Sequence, residues 1–589
     1  MVRRLRKLSP AWLALGLVAG LWYALAGLLS GEPIAWWPLA VASPAGLMAV
    51  ALAASRRGRY AKLSAALGAM LGALPMWSIT HAWIMDISAL GYPPGMLLQA
   101  SWAGAFVLAA SLALRGTRPP LAAAATLAVL WSAVEVARGQ VLFGGYPWLL
   151  VGHPLIDAPR VSLAGAVVGA YGVGFAAALS TAAVIGLALG VLQRERIVGC
   201  VALIAVPWLA LALLGLLAPP VGEAPGGDRG IRAGIVQTNV PQSNRTNWDI
   251  ERQIDLFARF VEMTRQLGGE ADVIVWPETM LPGPPIGVDA VRAMRDFGLY
   301  YETERGRLNA WSFAEELAGI QGELGVPMLV GAASQDGLEF SRAEDGSIQS
   351  DYDALHNSVH LFSDGRLTSQ RYDKMRLTIF GEVIPLVSRW GWLERQLSAI
   401  GASGMTFDLD AAPEPSWIDV PLAGGDALRV ATPICFEIAY EGVCRRLATG
   451  GGDRVDALVN ATNDGWMGDS DAARATHMQL ARWRALELGV PIVRAANTGI
   501  SAILDARGRP IGATAWLPEA GPDHEIETAG YAFATRTPAI VAGAIPGRTV
   551  RPTPYAAAGW ATPYVLLAAG GVLLVRGSLR ARAGRTAAA

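Results

Sequence analysis

The stretch LRVATPICFEIAY, residues 428–440, decides how this chain is read. Its first half is apolar and β-branched, the pattern of a buried strand that stops near Pro433. Cys435 then falls where strand gives way to turn, a common position for a nucleophile. A lone cysteine is more often a small buried hydrophobe, so only its company elsewhere in the chain can assign it chemistry. No histidine flanks Cys435, and His477 lies in a helical run.

Moving outward, other strand ends carry reactive groups. ADVIVWPE (271–278) reads as a strand ending in Glu278. RYDKMRLTIFGEVIP (371–385) presents Lys374 and Glu382. RAGIVQTNV (232–240), VPMLVGAA (326–333), HNSVHLF (356–362) and DALVNATND (456–464) are further strands, and DIERQIDLFARFVEMTRQLG (249–268) is an amphipathic helix. Mixed alternating and continuously apolar strands between helices indicate an α/β domain. Acyl transfer through a thioester needs these residue types. The thiol must lose its proton to attack, a carboxylate can accept it, and an ammonium stabilises thiolate and oxyanion.

Composition sets the surroundings. Of 589 residues 52% are hydrophobic and only 16% charged, too apolar for an ordinary soluble protein. Apolar runs near the ~20 residues that cross a bilayer fall at 10–30, 35–54, 64–85, 95–114, 120–137, 165–192, 197–217 and 557–576. Lys and Arg collect on the cytoplasmic side. They cluster before the first span (Arg3, Arg4, Arg6, Lys7), after the second (Arg56, Arg57, Arg59, Lys62), after the fourth (Arg115, Arg118) and after the sixth (Arg194, Arg196). Arg576, Arg580, Arg582 and Arg585 follow the last. Both termini are therefore expected inside and the large domain outside. The expected organisation is a transmembrane bundle over 1–218, a Pro/Gly linker over 219–230, an α/β catalytic domain over 231–546, a final span over 557–576 and a basic cytoplasmic tail over 577–589.

A net charge of −1 gives no nucleic-acid footprint. Three cysteines, Cys200, Cys435 and Cys444, make no disulfide framework, and no metal-ligand spacing appears. No metal and no cofactor is expected. Cys444 reads as structural, with both it and Cys435 reduced. His81 and His153 read as satisfied polar residues at the membrane interface.

The order WPE, YDK, the Cys435 strand, N-x-x-N-D-G-W (460–466) and the helix ARWRALE (481–487) resembles the nitrilase, or carbon–nitrogen hydrolase, superfamily over roughly 232–545. That resemblance implies an α-β-β-α sandwich with Glu278 as general base, Lys374 as oxyanion stabiliser and Cys435 as nucleophile. With eight spans around it, the chain resembles the membrane-bound apolipoprotein N-acyltransferase family. IVQTNVPQSNRTNW (235–248), KMRLTIFGEVIPL (374–386) and GGYPWLLVGH (144–153) support this. The resemblance implies a membrane phospholipid as acyl donor, phosphatidylethanolamine foremost, and diacylglyceryl-modified apolipoproteins as acceptor, in the bacterial inner membrane. It also carries over Trp248, Glu382 and Glu437 as supporting residues. Phe436 departs from the Tyr expected there, and packing alone would tolerate it. Glu382 either braces Lys374 or binds the second substrate's amine; Glu437 either supports the oxyanion region or caps the turn. Trp390, Trp392 and Leu393 are candidates for a membrane-facing lid. The competing readings are a membrane-tethered amidase or nitrilase for small substrates, and a transporter or scaffold with a non-catalytic nitrilase-like domain.

Overall fold

The computed structural model describes residues 8–115, 120–188, 197–227, 230–240, 249–304, 306–378, 382, 409–511, 514–516, 525–528 and 531–586. The chain forms two compact units, Met1–Pro219 with Pro552–Ala589, and Pro220–Arg551.

The first unit is helical. Among the described residues seven helical stretches are long and apolar enough to cross a membrane: Pro10–Ser30, Pro38–Ser55, Arg59–Thr80, Tyr92–Ala113, Leu121–Gly144, Ser162–Ala188 and Gly559–Arg580. The remaining expected span, the seventh in chain order, is the helix Ile197–Gly215, described as apolar over the shorter stretch Val201–Gly215. Helices in lipid gain little from burying apolar groups, so close approach of backbones matters more. Gly16 and Gly20 face Ala65 and Ala69, and Gly68 and Gly72 face Leu13 and Leu17. A Cβ at any of the four would overlap a carbonyl oxygen of the opposite helix.

Apolar length located these helices but not their ends. The third begins at Arg59 rather than 64, because Lys62 is buried and its ammonium donates to Ala54 O (2.7 Å) and Ser55 O (2.6 Å). A cation there satisfies the open carbonyls ending the preceding helix. The second span is broken into Pro38–Ala42 and Ala45–Ser55 around Ser43 and Pro44. The expected tail is helical in part, since the last helix runs from Thr562 to Thr586 through its arginines.

The second unit holds two mixed sheets. We label their strands β1 (Arg232–Gln237), β2 (Val273–Trp276), β3 (Met328–Asp336), β4 (Ala354–Ser363), β5 (Arg366–Asp373), β6 (Ile418–Pro421), β7 (Ala427–Ala431), β8 (Ala457–Thr462), β9 (Ile492–Ala496), β10 (Ala502–Leu504), β11 (Thr514–Trp516) and β12 (Ala539–Ala544). One sheet runs β11-β12-β1-β2-β3-β4-β5 and the other β6-β7-β8-β9-β10. Each has three parallel strands at its centre, β1-β2-β3 and β7-β8-β9, flanked by antiparallel neighbours. Such strands are covered on both faces and read as continuous apolar runs; β2, β8 and β9 are buried throughout. β1 and β2 meet β9 across the sheets. On the outer face of the first sheet, Phe257, Phe260, Phe313 and Leu317 from helices Ile250–Arg265 and Ser312–Leu324 join Trp276 in one core. In the second sheet the helix Asp471–Leu488 is the crossover between parallel β8 and β9. This is the α-β-β-α arrangement.

The segment expected as a linker is partly built into this unit. Val221 pairs antiparallel with Thr549, Gly222 N donates to Arg548 O (2.8 Å) and Val550 N to Pro220 O (3.0 Å). Entry and exit of the chain are thus hydrogen-bonded together.

Candidate active site

Open α/β sheets present side chains at the carboxyl ends of their parallel strands. Here the central strands of both sheets end at the same place. β2 continues through Pro277 to Glu278, and β8 into Asn463. Asn463 N donates to Glu278 Oε2 (2.8 Å). Glu278 Oε1 accepts from Asn357 Nδ2 on β4 (2.7 Å), and the side chain is only 4% exposed.

Lys374 follows β5 and is fully buried. Its Nζ lies 2.8 Å from Glu382 Oε1 and 3.6 Å from Glu278 Oε1. Burial alone would lower its pKa; the carboxylates of Glu382 and Glu278 outweigh that and raise it, so the ammonium is fixed. Burial would raise Glu382, but Lys374 and the Thr378 N–H (2.7 Å) hold it below the ordinary range. Of the two roles open for Glu382 in the sequence, the geometry displays the brace on Lys374.

Cys435 begins a short 3₁₀ turn, Cys435–Ala439, directly after the strand end, with φ +52°. Thr279, next to Glu278, has φ +49°. Left-handed backbone at a non-glycine residue costs roughly 1–3 kcal/mol and persists only where the surroundings enforce it. Both instances sit beside proposed reacting groups. Burial and the Glu278 carboxylate push the Cys435 thiol up, with Lys374 opposing. These surroundings favour the thiol over the thiolate.

Glu437 is fully buried and accepts four hydrogen bonds. Oε1 takes Met375 N (2.9 Å) and Arg376 N (2.8 Å); Oε2 takes Ile434 N (2.8 Å) and Tyr372 Oη (2.9 Å). It both caps the cysteine turn and ties that turn to the segment carrying Lys374. Burial pushes its carboxyl up to about 7 against those donors. Phe436 stands edge-on to Tyr440 (5.6 Å between centroids) and 6.0 Å from the His477 ring, a packing role. Trp248, Trp390, Trp392 and Leu393 lie outside the described residues. Cys444 is buried, free of any disulfide, and donates to Glu437 O (3.4 Å). His81 is buried between Thr80 Oγ1 and Tyr146 Oη, 2.8 Å from each.

Sequence reasoning gave no role to a second set of buried residues. Arg494 on β9 donates to Asp464 Oδ2 (2.7 Å), to Ile500 O (3.1 Å) and to Asn460 Oδ1. Asn460 in turn donates to Pro433 O (2.8 Å) and Cys435 O (3.4 Å). Through Asn460 one buried guanidinium thus braces the carbonyls of Pro433 and Cys435, on either side of Ile434, and with them the left-handed turn. Asn497 joins the sheets by donating to Val240 O and Asn463 Oδ1, each at 2.8 Å. The signal was present: a cation inside the apolar run PIVRAAN requires a buried anion. Among the described residues no cluster of potential metal ligands occurs.

Comparison with known proteins places these features in context. Residues 232–534 match the carbon–nitrogen hydrolase family, and residues 9–183 match the apolipoprotein N-acyltransferase N-terminal domain. A putative apolipoprotein N-acyltransferase of Bordetella parapertussis is 30% identical over 545 residues, 87% of this chain and 93% of that protein. The apolipoprotein N-acyltransferase of Azotobacter vinelandii is 30% identical over 400 residues, covering 67% of this chain and 66% of its own length. That of Haemophilus influenzae is 28% identical over 499 residues, 82% and 84% of the two chains.

Proposed function

The chain belongs to the apolipoprotein N-acyltransferase family of carbon–nitrogen hydrolases, and from that premise we propose that it moves an acyl chain from a membrane phospholipid to the α-amino group of a lipid-modified N-terminal cysteine. Glu278 takes the Cys435 proton as sulfur attacks the ester carbonyl carbon. Lys374 and backbone N–H groups hold the oxyanion. The carbon–oxygen bond then breaks, the departing glyceryl oxygen takes the proton from Glu278, and a thioester remains on Cys435 with lysophospholipid released. In the second half the acceptor amine attacks the thioester, Glu278 removes a proton from the nitrogen, and the sulfur leaves as the amide forms, taking that proton back from Glu278 to restore the thiol.

The observation that supports this reading is the fixed ammonium of Lys374 between Glu278 and Glu382, beside the Cys435 turn, in a chain whose other unit is a bundle of apolar helices. A reading as an amidase for small substrates gives no reason for such a bundle. Burying acyl chains yields about 0.8 kcal/mol per CH₂, so both substrates stay in the bilayer and the enzyme must meet them there. We assign phosphatidylethanolamine as the donor. We place the protein in the bacterial inner membrane with both termini cytoplasmic and residues 220–551 outside, as the basic residues beside the spans indicate.

Steady-state kinetics test the reaction. With phosphatidylethanolamine and a diacylated lipopeptide varied together, double-reciprocal plots should be parallel, the mark of an acyl-enzyme formed before the acceptor binds. Intersecting lines would require both substrates on the enzyme at once and would overturn the scheme.

A further inference from the structure

The floor and the mouth of the site differ in charge. Glu278, Lys374 and Glu437 are fully buried or nearly so, whereas Cys435, Phe436, Tyr440 and Arg376 are partly exposed and outline the approach. On the floor the carboxylates of Glu278 and Glu382 outnumber the one ammonium of Lys374, so an anionic substrate nearing Cys435 meets net negative charge. Arg376 supplies the opposite sign at the mouth. Its backbone N–H is pinned by Glu437 (2.8 Å), and its guanidinium stands 4.8 Å from the centroid of the Tyr440 ring. Tyr440 in turn touches Phe436, the neighbour of Cys435. The cation stacks on a ring five residues past Cys435, about 10 Å along the chain at the ~2 Å per residue of a 3₁₀ turn.

A glycerophospholipid carries its phosphodiester one glyceryl unit from the ester carbonyls, so a phosphate near Arg376 places an ester near Cys435. We propose that Arg376 binds the phosphodiester of the acyl donor and sets the enzyme's preference for glycerophospholipids over phosphate-free acyl esters. The inference rests on the reading of a phospholipid donor given above. Arginine suits the task because its planar donors match phosphate oxygens and stay charged. Arg376 is a binding residue: it fixes where the donor lies and takes no proton.

The test uses the full chain in detergent with two donors, dipalmitoyl phosphatidylethanolamine and p-nitrophenyl palmitate, and reads thioester formation against donor concentration. For Arg376→Gln we expect KM for the phospholipid to rise roughly ten- to a hundred-fold, the span of a lost hydrogen-bonded charge contact. Arg376→Lys should recover most of the loss, and both variants should keep their rate with p-nitrophenyl palmitate. An unchanged KM for the phospholipid, or equal losses with both donors, would overturn the assignment. If the unsubstituted enzyme reacts with p-nitrophenyl palmitate and not with the phospholipid, the donor reading itself fails, a result distinct from any behaviour of the Arg376 variants.

Discussion

Glu278→Gln should slow formation of the acyl-enzyme by roughly 10²–10⁴-fold, the span general bases contribute, while the protein stays folded. The thiol of Cys435 is pushed up by burial and by Glu278 itself, so little thiolate is present at neutral pH and attack depends on a base. Glu382 is no substitute, because Lys374 and Thr378 hold it below the ordinary carboxylate range. Glu278 has the better placement, with Oε1 on Asn357 and Oε2 on Asn463 N. Glutamine keeps the shape and one acceptor but turns an amide N–H₂ toward the other donor, costing about 1–3 kcal/mol. Rapid-quench detection of the thioester, with thermal unfolding as control, separates the two effects. A rate within threefold of the unsubstituted enzyme would remove Glu278 from the role of base.

Arg494→Met should have the largest effect on stability. It leaves Asp464 buried without its cation, a change worth about 3–5 kcal/mol and on the order of 10 °C in unfolding temperature for a unit of this size. The loss should depend on pH. Burial would raise the pKa of Asp464, but Arg494 and His477 hold it below the ordinary range. In the unsubstituted protein that stabilisation is therefore full above the ordinary carboxylate range and is lost only as pH falls below it. In the variant the unpaired carboxyl is raised instead, so stability is lost as pH rises through its new value. The gap in unfolding temperature should accordingly shrink between about pH 7 and about pH 4.5. Acylation should slow as well, because Asn460 loses the donor that orients it toward Pro433 and Cys435. A gap that does not vary with pH would contradict the pairing.

What could be read in the sequence was chemistry at strand ends. Glu278 and Cys435 each follow a run whose apolar pattern ends just before them, so type and position pointed the same way; Lys374 follows the polar strand RLTSQRYD and was singled out by the motif YDK alone. Asn357 was hidden because it lies inside β4, where a polar residue in an alternating strand reads as facing water. Arg494 and Asn460 were hidden because buried strands show continuous apolar runs, and periodicity gives no face to a polar interruption. In the membrane unit, apolar length found the helices, but Lys62 read as a solvent-facing topology signal. It is buried and caps the helix before it. Periodicity cannot tell a cation in water from one on a helix end.

In the proposed reaction everything turns on the acyl group being carried by Cys435. The most direct test of this is the intact mass of the full chain after incubation with dipalmitoyl phosphatidylethanolamine and no acceptor, alongside Cys435→Ser and Cys444→Ser. We expect one palmitoyl-sized mass increase, removed by neutral hydroxylamine, present in Cys444→Ser and lost in Cys435→Ser. An adduct that persists in Cys435→Ser, or a folded protein with a free Cys435 thiol and no adduct at all, would contradict that assignment.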